Sequence, residues 1–263
     1  MRQSLLLSAE NQPLSTPYDH QRAILISEQR RAFLRHSMGA ALVAGITGSS
    51  VLPALVHAFG KIPEKLIPGK SIYDMRGSVF VDGRQADEDT HISANSLVAT
   101  GSRSYVVFVI GTDAHILREN SRVKFSGTDS FEESLRLATG KLLSVFGART
   151  GDQMHQAQTS TATIGIRGTG LYIESEPELS YACTCYGHVN ISAKSDPSVS
   201  ETIVAQHHDA PRYIGKETDA GKLITPAPMK NHTDEELMLI ENLVGRKPAF
   251  STLESYSAPR KGY

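Results

Sequence analysis

The chain has 263 residues, of which 40% are hydrophobic and 21% are charged, and its formal net charge is -1 at neutral pH. This balance is typical of a globular protein with material for one or two domains and a substantial core. A near-neutral chain without a basic patch, or basic residues interleaved with aromatic ones, does not indicate a nucleic-acid partner.

The first predicted element is a targeting segment. Two arginines precede a moderately apolar stretch over residues 38–55, and Val56-His57-Ala58 then resembles the small-residue exit of a cleavage site. The segment RRAFLR resembles the twin-arginine export signature, although Gln29 stands where Ser or Thr is usual. In this resemblance the residues that the export receptor recognises are Arg30, Arg31, Phe33 and Leu34.

The targeting segment predicts that residues 1–58 form a leader cleaved after Ala58, and that the remaining chain is periplasmic. The leader's partner would be the twin-arginine export machinery, with no stable membrane span left after cleavage. Two alternatives stay open: an uncleaved signal that anchors the protein in the membrane, or a basic amphipathic helix leading a core helix. Glycines and Pro53 make the apolar stretch a marginal membrane span.

From Phe59 onward the hydrophobic pattern predicts a mainly β domain. Residues 77–83 alternate with a period of two, whereas residues 105–110 form a continuous apolar run, as expected for a strand covered on both faces. Residues 134–147 are predicted to form a hairpin that turns at Thr139-Gly140. Strands spaced by about 8–12 residues, with turns rich in Gly, Asp, Asn and Ser, indicate an antiparallel or solenoid-like sheet.

Four short motifs occur in an order that resembles the FecR domain, the extracytoplasmic domain of ferric-citrate-type signalling regulators. They are T-G-x-x-S at residues 100–104, L-x-x-x-S at 117–121, G-x-L at 140–142 and an R-G-T turn at Arg167, Gly168 and Thr169. The resemblance covers about residues 70–192. It implies a FecR-like domain over residues 59–192 that binds a ligand or an envelope protein partner in sensing or assembly. The residues before the arginine pair are too few for those regulators' anti-sigma segment, so the signalling role itself is not implied.

The sequence motifs of common catalytic sites are missing. There is no G-x-S-x-G nucleophile elbow, no H-E-x-x-H and no P-loop. The segment GIRGTG at residues 165–170 is not a phosphate loop, because strand patterns flank it on both sides and no helix N-terminus follows. We interpret Gly168 as the residue that permits a tight structural turn, and we predict no catalytic residue and no enzymatic activity.

The segment CTCYGH carries the most specific chemistry. Cys183 and Cys185 are two residues apart in a predicted strand, so their sulfurs share a face, and His188 follows after Gly187. Thiolates and imidazoles together suit zinc or copper, whereas the C-x-x-C-H spacing of haem attachment is not met. The candidate metal ligands are Cys183, Cys185, His188, His207 and His208, and His232 follows farther downstream.

Three other interpretations of these residues stay open. The cysteines can be buried small apolar groups, as free cysteines often are. They can form a disulfide in an oxidising compartment, although neighbouring positions on one strand give awkward geometry. The histidines can be ordinary surface residues.

Residues 193–263 change in character and predict an extended arm with a strand or two, followed by one short helix. Thr233 and Glu236 form a capping box, apolar residues follow at helical spacing, and Gly245 ends the helix. We expect this helix of about ten residues to pack against the sheet, with docking of a partner as the alternative.

Two functions follow from the sequence. The first is an exported, non-enzymatic module that binds a ligand or partner in envelope sensing or assembly. The second is a periplasmic protein on the same scaffold that carries a metal or cofactor through the Cys/His cluster.

Overall fold

The computed structural model describes residues 65–67, 69–128, 131–148, 155–217 and 222–253. The predicted leader, with Arg30, Arg31, Phe33 and Leu34 and the cleavage site after Ala58, lies outside these ranges. Within them, no helix is both long enough and apolar enough to cross a membrane.

The mainly β fold with one short helix, predicted from the strand patterns, is confirmed. In the described part of the chain, fourteen strands belong to one sheet that is not closed. The strands are β1 (Ile72–Arg76), β2 (Val79–Val81), β3 (Arg84–Gln85), β4 (Leu97–Thr100), β5 (Tyr105–Ile110), β6 (Asp113–Leu117), β7 (Arg122–Thr128), β8 (Phe131–Val145), β9 (His155–Gln158), β10 (Ala162–Ser175), β11 (Leu179–Ala193), β12 (Ser200–Ala205), β13 (Arg212–Gly215) and β14 (Ile224–Pro226). The helix is α1 (Asp234–Leu243), and a 3-10 helix, η1 (Ala249–Thr252), follows it.

Three long strands, β8, β10 and β11, form the centre of the sheet. Each is long enough to pair with different neighbours at its two ends, so β11 pairs with β13 near its start and with β12 near its end. The pairings are antiparallel except that of β8 with β9. The C-terminal segment therefore adds its strands to the same sheet, with β14 paired to β13.

The sheet buries side chains on both faces. One face forms the main core, which includes residues from both ends of the strand order, such as Val81 and Ile214. The other face is covered by α1, whose Leu237 and Ile240 pack against a second apolar cluster. In strand β5, Val106 and Phe108 lie in the main core and Val107 lies in the second cluster, which explains why this segment is a continuous apolar run.

Helix α1 begins and ends as its sequence predicts. The Thr233 hydroxyl accepts a hydrogen bond from the Glu236 N–H (3.2 Å), and the Glu236 carboxylate accepts one from the Thr233 N–H (3.0 Å), which completes the capping box. Gly245 follows the last turn with a φ of 76°, and the Arg246 N–H donates back to the Glu241 carbonyl (2.9 Å). Local chemistry thus fixes both ends of the helix.

The predicted hairpin at Thr139-Gly140 is wrong, because β8 runs straight through both residues. Gly140 has a φ of 91°, and Ser121 fills the space that a Cβ would occupy. The Ser121 hydroxyl also accepts a hydrogen bond from the Lys141 N–H (2.9 Å). The glycine lets β8 exchange its partner β7 for β6 and β10 without reversing direction.

Arg167, Gly168 and Thr169 lie in a bulge inside β10, where the register with β11 shifts. Gly168 adopts a φ of 53° there, and the buried Thr169 hydroxyl donates to the Tyr186 carbonyl. Arg167 is exposed. The R-G-T motif therefore bends a continuous strand, and the chain reverses elsewhere.

A carboxylate lies in the main core. Glu132 of β8 contacts His115 (Oε2 to Nε2, 3.0 Å) and His155 (Oε1 to Nε2, 2.8 Å), and all three side chains are buried. Burial raises the pKa of the Glu132 carboxyl, but the charge and hydrogen bonds of His115 and His155 outweigh this and lower the pKa to about 2. The ionised carboxylate is therefore held by its two imidazole partners.

Candidate metal centre

Two sulfurs project from β11 into the cluster beneath α1. Cys183 and Cys185 point to the same face and are both 0% exposed. Both are free thiols, so they form no disulfide with each other. The thiol of Cys185 lies 3.7 Å from the Cys183 carbonyl oxygen.

The first imidazole comes from the loop after β12. The backbone N–H of His208 donates to the Cys185 carbonyl (2.9 Å), which fixes the loop to β11 beside the thiols. The carboxylate of Asp209 accepts a hydrogen bond from the His207 N–H (3.0 Å) and closes the turn. These contacts place His208 Nδ1 3.5 Å from Cys183 Sγ.

The second imidazole comes from the loop before α1. His232 Nε2 lies 3.0 Å from His208 Nδ1, and its other ring nitrogen, Nδ1, donates to the Lys230 carbonyl (2.7 Å). The ring stacks on Tyr172 of β10 with centroids 4.5 Å apart and an interplanar angle of 19°. The hydrogen bond to Lys230 and the stack on Tyr172 thus fix the orientation of the His232 ring.

The four donor atoms lie close enough together to share one metal ion. The ligand atoms of Cys183, Cys185, His208 and His232 all lie within 4.8 Å of one another, and all four residues are buried. Zinc bonds of about 2.3 Å to sulfur and about 2.0–2.1 Å to nitrogen place a sulfur and a nitrogen about 3.5 Å apart and two nitrogens about 3.3 Å apart. The Cys183 Sγ–His208 Nδ1 separation of 3.5 Å and the His208 Nδ1–His232 Nε2 separation of 3.0 Å are close to these values.

An outer group of residues orients the imidazole of His208. The carboxylate of Asp234, in the first turn of α1, accepts hydrogen bonds from His208 Nε2 (2.9 Å) and His207 Nε2 (2.8 Å). His207 also stacks on Phe250, with centroids 4.6 Å apart. A carboxylate behind a ligating imidazole is a common second layer of metal sites, and His207 belongs to this layer.

The hydrogen bonds of His208 and His232 to groups outside the donor cluster determine which ring nitrogens direct a lone pair at the proposed metal position. A carbonyl accepts from His232 Nδ1 and a carboxylate accepts from His208 Nε2, so these outer nitrogens carry the protons. In the neutral rings, His208 Nδ1 and His232 Nε2 then direct lone pairs at each other across 3.0 Å. Either a metal ion bound by both nitrogens or a proton on His208 Nδ1 satisfies this pair.

Without a metal, the electrostatics of the cluster favour a thiolate at Cys183 beside a protonated His208. Burial raises the pKa of the Cys183 thiol, but Cys185, His208 and His232 outweigh it and hold that pKa well below the ordinary value. Burial and the neighbouring Cys183 raise the pKa of Cys185 well above the ordinary value. Burial lowers the pKa of His208, whereas Asp234 and Cys183 raise it to about 9. A thiolate is therefore favoured at Cys183, and a thiolate is the form that binds metals.

Cys183, His208 and Asp234 also stand in the order of a nucleophile, a base and an orienting carboxylate. Catalysis by such a triad requires that a substrate carbon reach the sulfur. All three side chains are buried, and Cys183 does not line the large cleft described below. The arrangement therefore fits a metal better than it fits nucleophilic catalysis.

The structure brings together three of the five ligands predicted from the sequence, Cys183, Cys185 and His208. His207 lies one layer out, and His188 is exposed farther along β11. The fourth donor, His232, lay outside the predicted ligand set. Its one sequence signal was its position directly before the capping box of α1.

A cleft of about 890 Å³ lies next to the centre, between the first turn of α1 and the sheet face formed by β1, β5 and β6. Arg118 and Glu236 form an ion pair across it, in which Nη2 of Arg118 donates to both carboxylate oxygens (2.7 and 2.8 Å). His232 lines this cleft as well as the centre. The cleft and the candidate metal centre therefore share one wall.

Comparisons with known proteins give structural similarity without sequence similarity. No protein-family model matches the chain, and no curated protein is significantly similar to it. Two crystal structures of a "putative anti-sigma factor from Parabacteroides distasonis", at 2.50 and 1.65 Å resolution, each align with it at a TM-score of 0.41 and 10% identity. The alignment covers 50% of this chain and 58% of the solved one, so the chain matches little more than half of that protein's length. Similarity at this level transfers no function.

Proposed function

We propose that the protein is a non-enzymatic β-sheet module built around one zinc ion bound by Cys183, Cys185, His208 and His232. The observation that carries the proposal is the convergence of two sulfurs and two imidazole nitrogens within 4.8 Å of one another, with one sulfur–nitrogen and one nitrogen–nitrogen separation close to those of tetrahedral zinc. Four protein donors complete the coordination and leave no position for substrate, which is typical of structural zinc sites. The ion would then contribute directly to the stability of the fold.

Metal analysis of the full chain tests the proposal. The protein is made without a histidine tag and purified from the cytoplasm, and zinc and copper are counted per chain by mass spectrometry. We expect about one zinc per chain in the wild type and a loss of at least tenfold in Cys183→Ser and His232→Gln. His188→Gln is the matched control, because His188 lies on the same strand as the thiols but is exposed.

Thermal unfolding in the presence of a chelator provides the second readout. Zinc bound only to the folded state stabilises it by mass action, so we expect the chelator to lower the melting temperature of the wild type. A metal-free wild type whose melting temperature is the same in chelator would overturn the proposal. One copper per chain in place of zinc would show that the four residues bind a metal but that the proposed metal is wrong.

We also propose that the module is exported to the periplasm and acts by binding a ligand or an envelope protein, as its resemblance to FecR domains implies. The cleft beside α1 supports this second role, because it combines charged side chains such as Arg118 and Lys141 with apolar ones such as Leu239. Zinc would then serve as the internal support of a binding surface. Cell fractionation tests the location, and protein found only in the cytosol would contradict it.

A further inference from the structure

Three of the four sequence motifs converge on the cleft beside α1, namely T-G-x-x-S at residues 100–104, L-x-x-x-S at 117–121 and G-x-L at 140–142. Their fixed positions interlock, because the Thr100 hydroxyl accepts a hydrogen bond from the Ser121 N–H (3.1 Å) and the Ser121 hydroxyl accepts one from the Lys141 N–H (2.9 Å). Their variable positions supply three cations to the lining of the cleft, Arg103, Arg118 and Lys141. The motifs thus fix the backbone from which these cations extend.

Two of the cations face each other on adjacent strands. The pairing of β6 with β8 continues one step beyond β6, because the Arg118 N–H donates to the Lys141 carbonyl (3.0 Å). Both residues lie two positions from members of the second apolar cluster, Ile116 and Leu143, so their side chains share that face of the sheet. Directly opposed side chains are about 5 Å apart at Cβ, where like charges are destabilising. A negative charge between Arg118 and Lys141 would relieve this repulsion.

The carboxylates of the protein neutralise only one of these two cations. Nη2 of Arg118 donates to both oxygens of Glu236. The next residue across the sheet from Lys141 is Glu174 of β10, but its carboxylate accepts hydrogen bonds from Lys230 (2.8 Å) and from two neutral side chains. Within the described part of the chain, no carboxylate pairs with the half-buried Lys141 ammonium. Lys141 is therefore a cation whose partner must come from outside.

The charge balance of the cleft favours a ligand with a single negative charge. Besides His232, the charged side chains of the lining are three cations and three carboxylates. The Asp74 carboxylate accepts a hydrogen bond from the Tyr105 hydroxyl (2.7 Å), and the Glu119 carboxylate accepts one from the Arg103 N–H (2.8 Å). Because the formal charges of these six side chains sum to zero, a carboxylate fits the cleft better than a doubly charged phosphate does.

The remaining lining suits an apolar body attached to that charge. It includes Val107, Ile116 and Leu239 together with two tyrosines, and the cleft volume of about 890 Å³ lies within the range of small-ligand sites. We propose that the cleft binds a carboxylate carried on an apolar body, with the carboxylate between Lys141 and Arg118. This proposal rests on the binding role proposed above for the cleft and names the class of its ligand.

Calorimetric titration of the full chain at low ionic strength tests the ligand class with two probes. They are phenylbutyrate and the peptide acetyl-Ala-Leu-Phe with a free C-terminus, and each is compared with its own amide, which keeps the apolar body and lacks the charge. We expect each acid that binds to do so at least tenfold more tightly than its amide. The tighter acid identifies the source of the ligand as a free small molecule or the C-terminus of a polypeptide.

Lys141→Met tests the position of the carboxylate, because methionine keeps an apolar stem and removes the charge. We expect the affinity for the acids to fall at least tenfold in Lys141→Met and to be largely kept in Lys141→Arg. Lys124→Met is the matched control, since Lys124 is exposed on β7 and lies outside the lining of the cleft. It should bind the acids as the wild type does.

Thermal unfolding separates a binding role of Lys141 from a structural one. Without ligand, Lys141→Met should melt no lower than the wild type, because the substitution removes a like charge opposite Arg118. The tighter acid should raise the melting temperature of the wild type and of Lys124→Met by mass action, but not that of Lys141→Met. A ligand-free Lys141→Met that melts below both other proteins would assign Lys141 to the fold and overturn the proposal.

The outcomes separate this proposal from the proposed function. If an amide binds as tightly as its acid, the cleft remains a binding site and the carboxylate is rejected. Equal affinity of the acids for the wild type and Lys141→Met likewise overturns the proposal. If neither acid nor amide binds, this proposal falls, whereas metal analysis and cell fractionation still decide the zinc site and the export.

Discussion

At the scale of single residues, Asp234 joins the histidine loop after β12 to the first turn of α1. Its two carboxylate oxygens accept hydrogen bonds from His207 and His208, and the second of these bonds keeps His208 Nδ1 directed at the thiols. Asp234→Asn keeps the shape of the side chain but removes its negative charge and leaves one oxygen that can accept a hydrogen bond. We expect the zinc affinity to fall by about 10–100-fold, as measured by competition with a chelator of known affinity.

Asp196→Asn is the matched control for this substitution. Asp196 is exposed, and its carboxylate accepts hydrogen bonds from the backbone N–H and the hydroxyl of Ser198, within the turn between β11 and β12. An unchanged affinity in Asp234→Asn, or an equal loss in both variants, would show that the outer carboxylate does not orient the ligand.

Glu132 predicts an acid-sensitive contribution to stability that is independent of the metal. Its pKa in the folded protein is lowered to about 2 from the ordinary 4.5, so the unfolded chain takes up the proton first as the pH falls. The stabilisation by the Glu132 carboxylate is fully present above about pH 4.5 and is lost as the pH falls toward 2. At neutral pH, Glu132→Gln should cost about 3–5 kcal/mol of unfolding free energy, because it removes the charged partner of two buried imidazoles.

Urea unfolding between pH 2.5 and 7 measures the Glu132 contribution. Acid releases the metal from the wild type and from Glu132→Gln alike, so the difference between the two proteins isolates the carboxylate. We expect that difference to shrink as the pH falls. Glu133→Gln, at the exposed neighbouring position on β8, should follow the wild type. A difference that is independent of pH would refute the assignment.

The thiols were predictable from the sequence and their imidazole partners were not. Strand periodicity alone puts Cys183 and Cys185 on one face. His188 is three residues beyond Cys185, about 10 Å along an extended strand, where it is exposed. His208 and His232 lie on loops whose approach to β11 depends on strand pairing between distant segments, which periodicity does not report.

At the scale of elements, Gly140 is the position on which the path of β8 depends. A Cβ there would lie 2.1 Å from the Ser121 hydroxyl and 2.5 Å from the Ser121 Cα, and the φ of 91° already disfavours a side chain. We expect Gly140→Ala to lower the free energy of unfolding by roughly 2–4 kcal/mol. Chemical denaturation measures the loss.

Gly83→Ala separates the cost of the backbone conformation from the cost of the contact with Ser121. Gly83 has a similar φ of 80°, but nothing lies within 4 Å of the position that a Cβ would occupy. We expect a loss of about 1 kcal/mol there, from the backbone conformation alone. Equal losses in the two variants would mean that contact with Ser121 adds nothing.

The elements differ in how well their sequences predict them. Helix α1 is found from its capping box and its final glycine, because both ends are fixed by hydrogen bonds within a few residues. The hairpin at Thr139-Gly140 is mispredicted because a glycine between two apolar runs is equally compatible with a turn and with a strand that changes partners. Only the position of Ser121, on a separate segment, distinguishes the two.

At the scale of the whole molecule, the proposed centre is closed. Its four donors are buried, and they come together only when β11, the loop after β12 and the loop before α1 are in place. Folding and metal binding are then coupled, as in other sites whose ligands are brought together by folding. The thiols would be protected by the metal before they meet an oxidising compartment.

The predicted leader fits this order of events, because the resemblance to twin-arginine signals implies export of proteins that have already folded. Replacing Arg30 and Arg31 together with lysine should block recognition by the export receptor. We expect the full-length chain to accumulate in the cytoplasm with about one zinc per chain, while Arg35→Lys is exported normally. Cell fractionation and metal analysis of each fraction give both readouts. Normal export of the double variant would show that residues 1–58 are not a twin-arginine leader. If the trapped chain lacks metal while the periplasmic wild type contains zinc, the protein binds its zinc after export.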